Sequence, residues 1–66
     1  MKPLIRYDEF KIALLDAGLS PFKLAERINC SKGTIYNVVN GKPCSFEMAS
    51  RIAKELNVKV SEVFTV

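Results

Sequence analysis

The stretch "SPFKLAERINCSKGTIYNVVNGK", Ser20–Lys42, decides the fold of this 66-residue chain. Ser20 followed by Pro21 combines an N-cap residue with a first-turn proline, which is a strong helix-start signal. Asn29–Ser31 then interrupts the helical pattern, and its last residue is an N-cap candidate for a helix that continues to about Asn40. Two short helices joined by a three-residue break are typical of a helix-turn-helix, whose second helix enters the DNA major groove.

The second of these helices begins with two residues that are unfavourable in the first turn of a helix. Lys32 places a cation at the positive end of the helix dipole. Gly33 follows, and a glycine inside a helix costs about 1 kcal/mol relative to alanine. A chain of this length buries only roughly 60% of its unfolded surface, so it has little stability to spare. We therefore expect these positions to serve a contact surface, where local stability is commonly given up.

The charge distribution supports a polyanionic partner. The net charge is +3, and residues 1–16 and 47–66 each sum to zero. The excess lies in residues 17–46, which carry Lys23, Arg27, Lys32 and Lys42 against Glu26 alone. A basic segment of this kind favours nucleic acid, although a solvated basic surface is the simpler alternative.

Helical spacing of apolar residues continues through the rest of the chain, and β-strand signals are almost absent. A first helix is predicted from near Asp8 to Gly18, a fourth from Ser45 to Asn57, and a last short turn over Ser61–Phe64. The prediction is an all-α, compact five-helix single domain over 1–66, with the helix-turn-helix at about 21–40. The predicted inward positions are Phe10, Ala13, Leu14, Ala17, Leu24, Ala25, Ile28, Ile35, Val38, Val39, Phe46, Ala49, Ile52, Ala53 and Leu56.

Several classes of function are not expected. The chain has no histidine, and Cys30 and Cys44 form no C-x-x-C pair, so neither a zinc site nor a disulfide framework is predicted. Both thiols are expected to be reduced, with Cys30 filling the turn. The longest apolar run, Ile12–Leu15, is far shorter than the roughly 20 residues of a membrane span. Without a nucleophile–base pair or a phosphate-binding glycine loop, an enzyme or a cofactor is not expected.

The segments "GLSPFKLAERINCSKGTIYNVVNGK" and "SFEMASRIAKELNV" resemble the Cro and phage-repressor type helix-turn-helix family, the xenobiotic-response-element-like regulators. The resemblance extends from about Phe10 to Phe64. No single matching residue is specific to the family, but the joint spacing of the matches is. The matches are Leu24, Ala25, Cys30, Ser31, Ile35, Asn40, Gly41, Ile52, Ala53, Lys54 and Leu56. The resemblance implies a lambda-repressor-like DNA-binding fold.

The chain also departs from the family pattern. The first helix of the family usually carries an arginine at the position of Leu14, and the third a glutamate at Val39, which form an internal ion pair. Both are aliphatic here, and exchanging a buried pair for packed hydrophobes is often neutral or stabilising. Pro21 replaces a glutamine that touches a phosphate in many relatives, and Cys44 occupies a common proline position.

The resemblance places the base-reading positions on Lys32, Gly33, Tyr36 and Asn37. Lys32 suits guanine or a phosphate, Asn37 suits adenine, and Tyr36 suits a thymine methyl group or a phosphate, while Gly33 provides room. Phosphate contacts are expected from the surrounding rim, with a solvated polar surface as the alternative for any one residue. The candidates are Ser31, Thr34, Asn40, Lys42, the side chain of Lys23, and the backbone amides of Phe22 and Lys23.

These features predict a sequence-specific, double-stranded DNA-binding transcription regulator. The simplest form is a small Cro-like repressor on a palindromic operator, cytoplasmic and of bacterial or phage origin, with no small-molecule effector or membrane partner. A homodimer is expected, since one helix-turn-helix reads few base pairs. The dimer candidates are Val58, Val60, Val63, Phe64 and Val66, with Leu4 and Ile5 as additions, unless these residues only close the core. The alternative function is an antitoxin or adaptor module on the same fold.

Overall fold

The computed structural model describes residues 2–65 and confirms the predicted five helices, with one small addition. The elements in chain order are β1 (Leu4–Ile5), α1 (Tyr7–Ala17), α2 (Pro21–Arg27), α3 (Lys32–Val39), α4 (Phe46–Glu55), α5 (Val60–Val63) and β2 (Phe64–Thr65). Both α1 and α5 begin one residue earlier than the sequence pattern predicts. Within the described residues, every helix is too short or too polar to cross a lipid bilayer.

Four helices, α1 to α4, end in the same way. Each is terminated by a residue with a positive φ: Gly18 at 70°, Asn29 at 59°, Gly41 at 96° and Asn57 at 59°. In each case its N–H donates to the carbonyl three residues back, and the next N–H donates to the carbonyl five residues back. This is the Schellman arrangement, and glycine and asparagine are the residues that enter the left-handed region most readily. The predicted ends at Gly18, Gly41 and Asn57 are confirmed.

Serine hydroxyls begin three of the helices. Ser20, Ser31 and Ser45 each accept a backbone N–H at 3.1 Å, from Lys23, Thr34 and Met48 respectively. Such a cap satisfies one of the amides that a helix start leaves without an intrahelical partner. The turn between α2 and α3 is therefore fixed from both sides, by the left-handed Asn29 and by the Ser31 cap, with Cys30 between them.

The core is formed by the inward faces of the helices. Leu24, Ile35, Ala49 and Ile52 have no exposed surface, and most of the other predicted inward residues are also buried. The periodicity predicts that Phe46 faces the core, and this is wrong because the structure leaves it 58% exposed. It is the first residue of α4, at the edge of the stripe that α4 buries.

The prediction that Ala17 faces inward is also wrong, because this residue is exposed at the last position of α1. The apolar face of α1 that packs into the core consists of Phe10, Ala13 and Leu14. The helix continues beyond that contact by one turn. Val39 is half-buried and packs against the core from the end of α3.

A two-stranded antiparallel sheet joins the two ends of the chain. Leu4 lies opposite Thr65, and Ile5 lies opposite Phe64. The sequence pattern predicts a helical Phe64, and this is wrong because the residue has an extended backbone, with φ −134° and ψ 146°. Two-residue strands are too short to show an alternating pattern, and their partners are far apart in sequence. The Arg6 N–H extends the connection by donating to the Val63 carbonyl at 2.8 Å.

Burial in the core removes two of the predicted dimer residues. Val63 and Phe64 are each only 1% exposed, because both side chains fill the core of the monomer. Their assignment to a dimer surface is therefore wrong. Val58 and Val60 are half-buried and Leu4 is 42% exposed, so these residues retain some free apolar surface. The fifth predicted dimer residue, Val66, lies outside the described residues.

The two cysteines occupy different environments. Cys30 is half-buried in the turn and packs against the core, whereas Cys44 is the buried one of the pair. Burial raises the pKa of the Cys44 thiol, against the opposing attraction of the Lys2 ammonium group. The Cys44 N–H donates to the Pro3 carbonyl at 3.2 Å, which ties the loop after α3 to the N-terminal segment.

Leu14 and Val39, the two positions that depart from the family ion pair, line the same apolar concavity. This concavity has a volume of about 230 Å³, and its other walls are Tyr7, Phe10, Lys11, Leu15, Leu19 and Pro21. Leu14 is only 6% exposed. A charged group at either position would therefore enter an environment with few polar partners.

We expect Leu14→Arg alone to lower the free energy of unfolding by about 3 kcal/mol, because it would bury an unpaired charge. The double variant Leu14→Arg/Val39→Glu should recover part of that loss by restoring the ion pair. Leu15→Arg is the matched control, since Leu15 is 71% exposed and the change should be nearly neutral. Urea denaturation measures all three, and a Leu14→Arg variant as stable as the parent would contradict the prediction.

Candidate nucleic-acid interface

The eight-residue helix α3 has one buried side and one open side. Ile35 is fully buried and Val38 is 3% exposed, so these two side chains attach the helix to the core. The opposite side carries no acidic residue in its first turn. All four predicted base-reading residues lie on this exposed side: Lys32, Gly33, Tyr36 and Asn37.

The start of α3 holds two of the predicted phosphate-contacting hydroxyls. Ser31 Oγ accepts the Thr34 N–H, and it also lies 2.8 Å from Thr34 Oγ1. One of the two hydroxyls therefore donates to the other. Since each hydroxyl has a single hydrogen, the pair keeps one O–H that donates to no acceptor among residues 2–65.

Nothing in the fold requires a glycine at position 33. Among residues 2–65, a Cβ atom built on Gly33 meets no atom within 4 Å apart from its chain neighbours and the nearby backbone of its own helix, so it would enter open space. The residue also lies within α3 and is not among those with a positive φ. Packing and backbone conformation thus give no reason for the loss of helix stability that a glycine causes.

The ring of Phe22, on α2, joins the exposed side of α3, which carries Lys32, Gly33, Tyr36 and Asn37 and is called its reading side after the proposed role, to the neighbouring helix. The Phe22 and Tyr36 ring centroids are 5.1 Å apart, with an angle of 87° between the ring planes. Lys32 Nζ lies over the same Phe22 ring, 5.1 Å from its centroid. The sequence pattern assigns a role only to the backbone amide of Phe22 and misses this contact. No local pattern signals it, because it depends on how two helices cross.

At the start of α2, the structure changes the role expected of Lys23. Its backbone N–H donates to Ser20 Oγ, so this amide serves the helix cap, and its assignment to a phosphate is wrong. Its side chain remains a candidate. Lys23 Nζ lies 3.7 Å from Glu26 Oε1, and both side chains are 66% exposed. Such exposed pairs contribute only about 0–1 kcal/mol, so the lysine can exchange this partner for another anion.

The residues beyond α3 continue the polar surface. Asn40 and Lys42 are exposed, and the Lys42 N–H donates to the Asn37 carbonyl at 3.0 Å in the helix-ending turn. A shallow groove of about 270 Å³ is lined by Thr34, Asn37 and Lys42, among others. Lys42 therefore lies beside the second half of α3.

Helix α4 holds the end of α2 through two arginine contacts that the sequence does not reveal. The Arg51 guanidinium donates to the carbonyl of Ile28, the C-cap residue of α2. Arg27 Nη1 lies 3.4 Å from Glu55 Oε2. Part of the basic charge of the central segment is thus paired within the protein, whereas Lys32 and Lys42, beside α3, take part in none of the salt bridges among residues 2–65.

Comparison with known proteins agrees with this geometry. The model of the Cro/C1-type helix-turn-helix DNA-binding domain matches residues 9–66. The chain belongs to this Cro/C1-type family. This confirms the resemblance identified from the sequence. No curated protein is significantly similar in sequence to the chain.

Two solved structures share the fold of this Cro/C1-type domain. One is a protein from Bacteroides fragilis to which DNA binding has been ascribed, with a TM-score of 0.76 and 25% identity, covering 96% of this chain and 98% of that one. The other is the transcriptional regulator VanUg, with a TM-score of 0.79 and 18% identity, covering 98% of this chain and 87% of that one. The lambda-repressor-like architecture is thus shared over nearly the full length.

We expect Gly33→Ala to raise the free energy of unfolding by up to about 1 kcal/mol, because alanine is the better helix former and its methyl group enters open space. Gly41→Ala is the control with the opposite sign. It should destabilise by about 1–2 kcal/mol, since Gly41 has a φ of 96°. Urea denaturation measures both, and a loss of stability in Gly33→Ala would show that the fold does constrain this position.

Proposed function

We propose that this chain is a sequence-specific, double-stranded DNA-binding transcription regulator, in its simplest form a small Cro-like repressor. One observation carries the proposal: the exposed side of α3 presents Lys32, Tyr36 and Asn37 in a family of DNA-binding domains. An α-helix fits the major groove of B-DNA, where base edges present distinct hydrogen-bonding patterns. The second helix of a helix-turn-helix is the one that enters the groove.

The four residues of the reading side have different proposed roles. The Lys32 ammonium suits the O6 and N7 acceptors of guanine, and the Asn37 amide suits the donor and acceptor edge of adenine. Gly33 allows the helix backbone to approach the bases closely. This role explains a glycine that the free protein does not need. Tyr36 contributes an aromatic ring and a hydroxyl group.

The proposed phosphate contacts surround this surface. They fix the register of the protein on the duplex and make the affinity depend on salt, but they do not read sequence directly. The residues are Ser31, Thr34, Asn40, Lys42, the Lys23 side chain and the Phe22 amide. The free hydroxyl hydrogen of the Ser31–Thr34 pair and the exposed ammonium groups support this assignment.

We further propose a homodimer on a palindromic operator in the bacterial or phage-infected cytoplasm. Two-fold symmetry would place the recognition helices in successive major grooves, about 34 Å apart. With Val63 and Phe64 buried in the monomer, the apolar dimer candidates are Val58, Val60 and Leu4, together with the half-buried Ile5. Repression would follow from occupation of a promoter, with binding rather than catalysis as the activity and no cofactor or effector involved.

The test begins with selection of bound duplexes from a random pool. We expect a palindromic site with half-sites about 10 base pairs apart, or a multiple of that spacing. Lys32→Ala and Asn37→Ala should each reduce discrimination against a wrong base by about 1–3 kcal/mol at one position per half-site. Lys11→Ala, which removes an exposed lysine from α1, is the matched control and should change little.

Two results would count against the proposal. If Lys32→Ala and Asn37→Ala selected the parent's site with unchanged discrimination, α3 would not be the reading helix. If the chain captured a protein partner and no duplex at all, the antitoxin or adaptor function would be favoured instead.

Gly33→Ala gives a second test because its two effects should have opposite signs. The variant is expected to be more stable than the parent, yet to bind the selected site more weakly by about 1–3 kcal/mol, the usual cost of overpacking a fitted contact. Binding isotherms on the selected and on a scrambled duplex measure the effect. An unchanged affinity for the selected site would show that the backbone at Gly33 does not approach the bases.

A further inference from the structure

Two exposed aromatic rings meet beside the reading side of α3. Phe22 is 37% exposed and Tyr36 is 48% exposed. Their centroids lie 5.1 Å apart and their planes are nearly perpendicular, at 87°. This edge-to-face geometry is a favourable one for an aromatic pair, so the two rings hold each other in place. They form a fixed apolar corner between α2 and α3.

We propose that this corner is a subsite for the C5-methyl group of a thymine. The inference rests on the proposed function, because it requires the reading side of α3 to lie in the major groove. The thymine methyl is the apolar group that a base pair presents there. Phe22 then acts as a specificity-determining residue through its ring, a role separate from any contact of its backbone amide.

The surrounding charges favour a methyl group over a phosphate as the occupant. The faces of aromatic rings carry partial negative charge, so they attract cations and disfavour anions. Lys32 Nζ, 5.1 Å from the Phe22 centroid, already occupies one face of that ring. The part of the Phe22 ring left exposed beside Tyr36 is therefore suited to a neutral, apolar group.

The contact between Lys32 and Phe22 predicts where the thymine lies. The two side chains are adjacent in the free protein, and successive bases along a strand are about 3.4 Å apart, so a base beside the Phe22 ring should lie close to the base that Lys32 reaches. The thymine should fall within two steps of the base pair whose identity depends on Lys32.

The experiment uses the duplex selected by the parent protein. Each thymine of the half-site is replaced in turn by deoxyuridine, which pairs identically and lacks only the methyl group. We expect one replacement per half-site, within two steps of the Lys32-dependent pair, to weaken binding about fourfold, the value of one buried methyl-sized group. Replacements at the other thymines should change binding little.

Three variants then assign the effect to the rings. Phe22→Ala and Tyr36→Ala should bind the thymine and deoxyuridine duplexes equally, whereas Tyr36→Phe, which keeps the ring, should retain the difference of about fourfold. Ile12→Ala removes an exposed apolar side chain from α1, where Ile12 is 59% exposed, and should behave like the parent. Thermal unfolding verifies that each variant is folded, which is expected because Phe22 and Tyr36 are not part of the buried core.

Each contrary outcome has its own meaning. If no thymine of the selected site depends on its methyl group, the subsite is refuted while the DNA-binding function stands. A second contrary result is that Phe22→Ala weakens binding to both duplexes by the same factor and still prefers thymine over deoxyuridine as the parent does. The ring would then only position Tyr36 and Lys32, which also overturns the subsite. If no sequence can be selected, the proposed function fails first, and the subsite fails with it.

Discussion

The burial of Ile35 and Val38 is the constraint on which the rest of this structure depends. These two side chains, 0% and 3% exposed, are the attachment of an eight-residue helix to the core, and they fix its rotation. In an α-helix the direction of a side chain follows from its position at about 100° per residue, so fixing one side fixes the other. The side that carries Lys32, Tyr36 and Asn37 must therefore face outward. The surface chemistry of α3 is in this sense a consequence of core packing.

The placement of α3 relative to α2 has a second, independent origin in the capping contacts around the turn that joins them. The left-handed Asn29 ends α2 and the Ser31 hydroxyl starts α3, so the turn between them has little freedom. Arg51 then holds the α2 C-cap carbonyl from α4. Leu14 and Val39, where the resemblance implies an internal ion pair, instead line one apolar concavity. Backbone caps and apolar packing together support the helix-turn-helix without that pair.

The accuracy of the sequence predictions follows the range of the interactions involved. Ser20, Ser31 and Ser45 are recognisable as caps because a cap is formed within four residues of the chain. The left-handed ends at Gly18 and Gly41 are equally local. By contrast, the sheet pairs Ile5 with Phe64, and no short pattern encodes a pairing between the two ends of a chain. The error at Phe64 has the same cause, since its apolar character is visible in the sequence but its pairing with the N-terminal strand is not.

Helix periodicity fails only where a residue lies at the margin of a helix. Phe46 is the first residue of α4 and Ala17 is the last of α1, and in both cases the period is right but no neighbouring element covers the side chain. The candidate site shows a different limit. The exposed side of α3 follows from periodicity and from the family resemblance, whereas the Phe22 ring contact depends on the crossing of two helices. For Phe46, Ala17 and the Phe22 ring alike, the sequence pattern does not predict which side chains of other elements lie nearby.

The interaction of Lys32 with the Phe22 ring also accounts for the cation at the start of α3. A lysine near the N-terminus of a helix is unfavourable by about 0.3–1 kcal/mol. A cation–π interaction at an exposed site contributes about 0.5–1 kcal/mol, so the Phe22 ring can offset most of the dipole penalty on Lys32 in the free protein. If Lys32 leaves the ring for a guanine, it gives up less energy than the discrimination of about 1–3 kcal/mol that a good base contact supplies. The Phe22 ring can therefore hold Lys32 near its proposed contact with DNA, and the interaction is weak enough for a guanine to replace the ring as its partner.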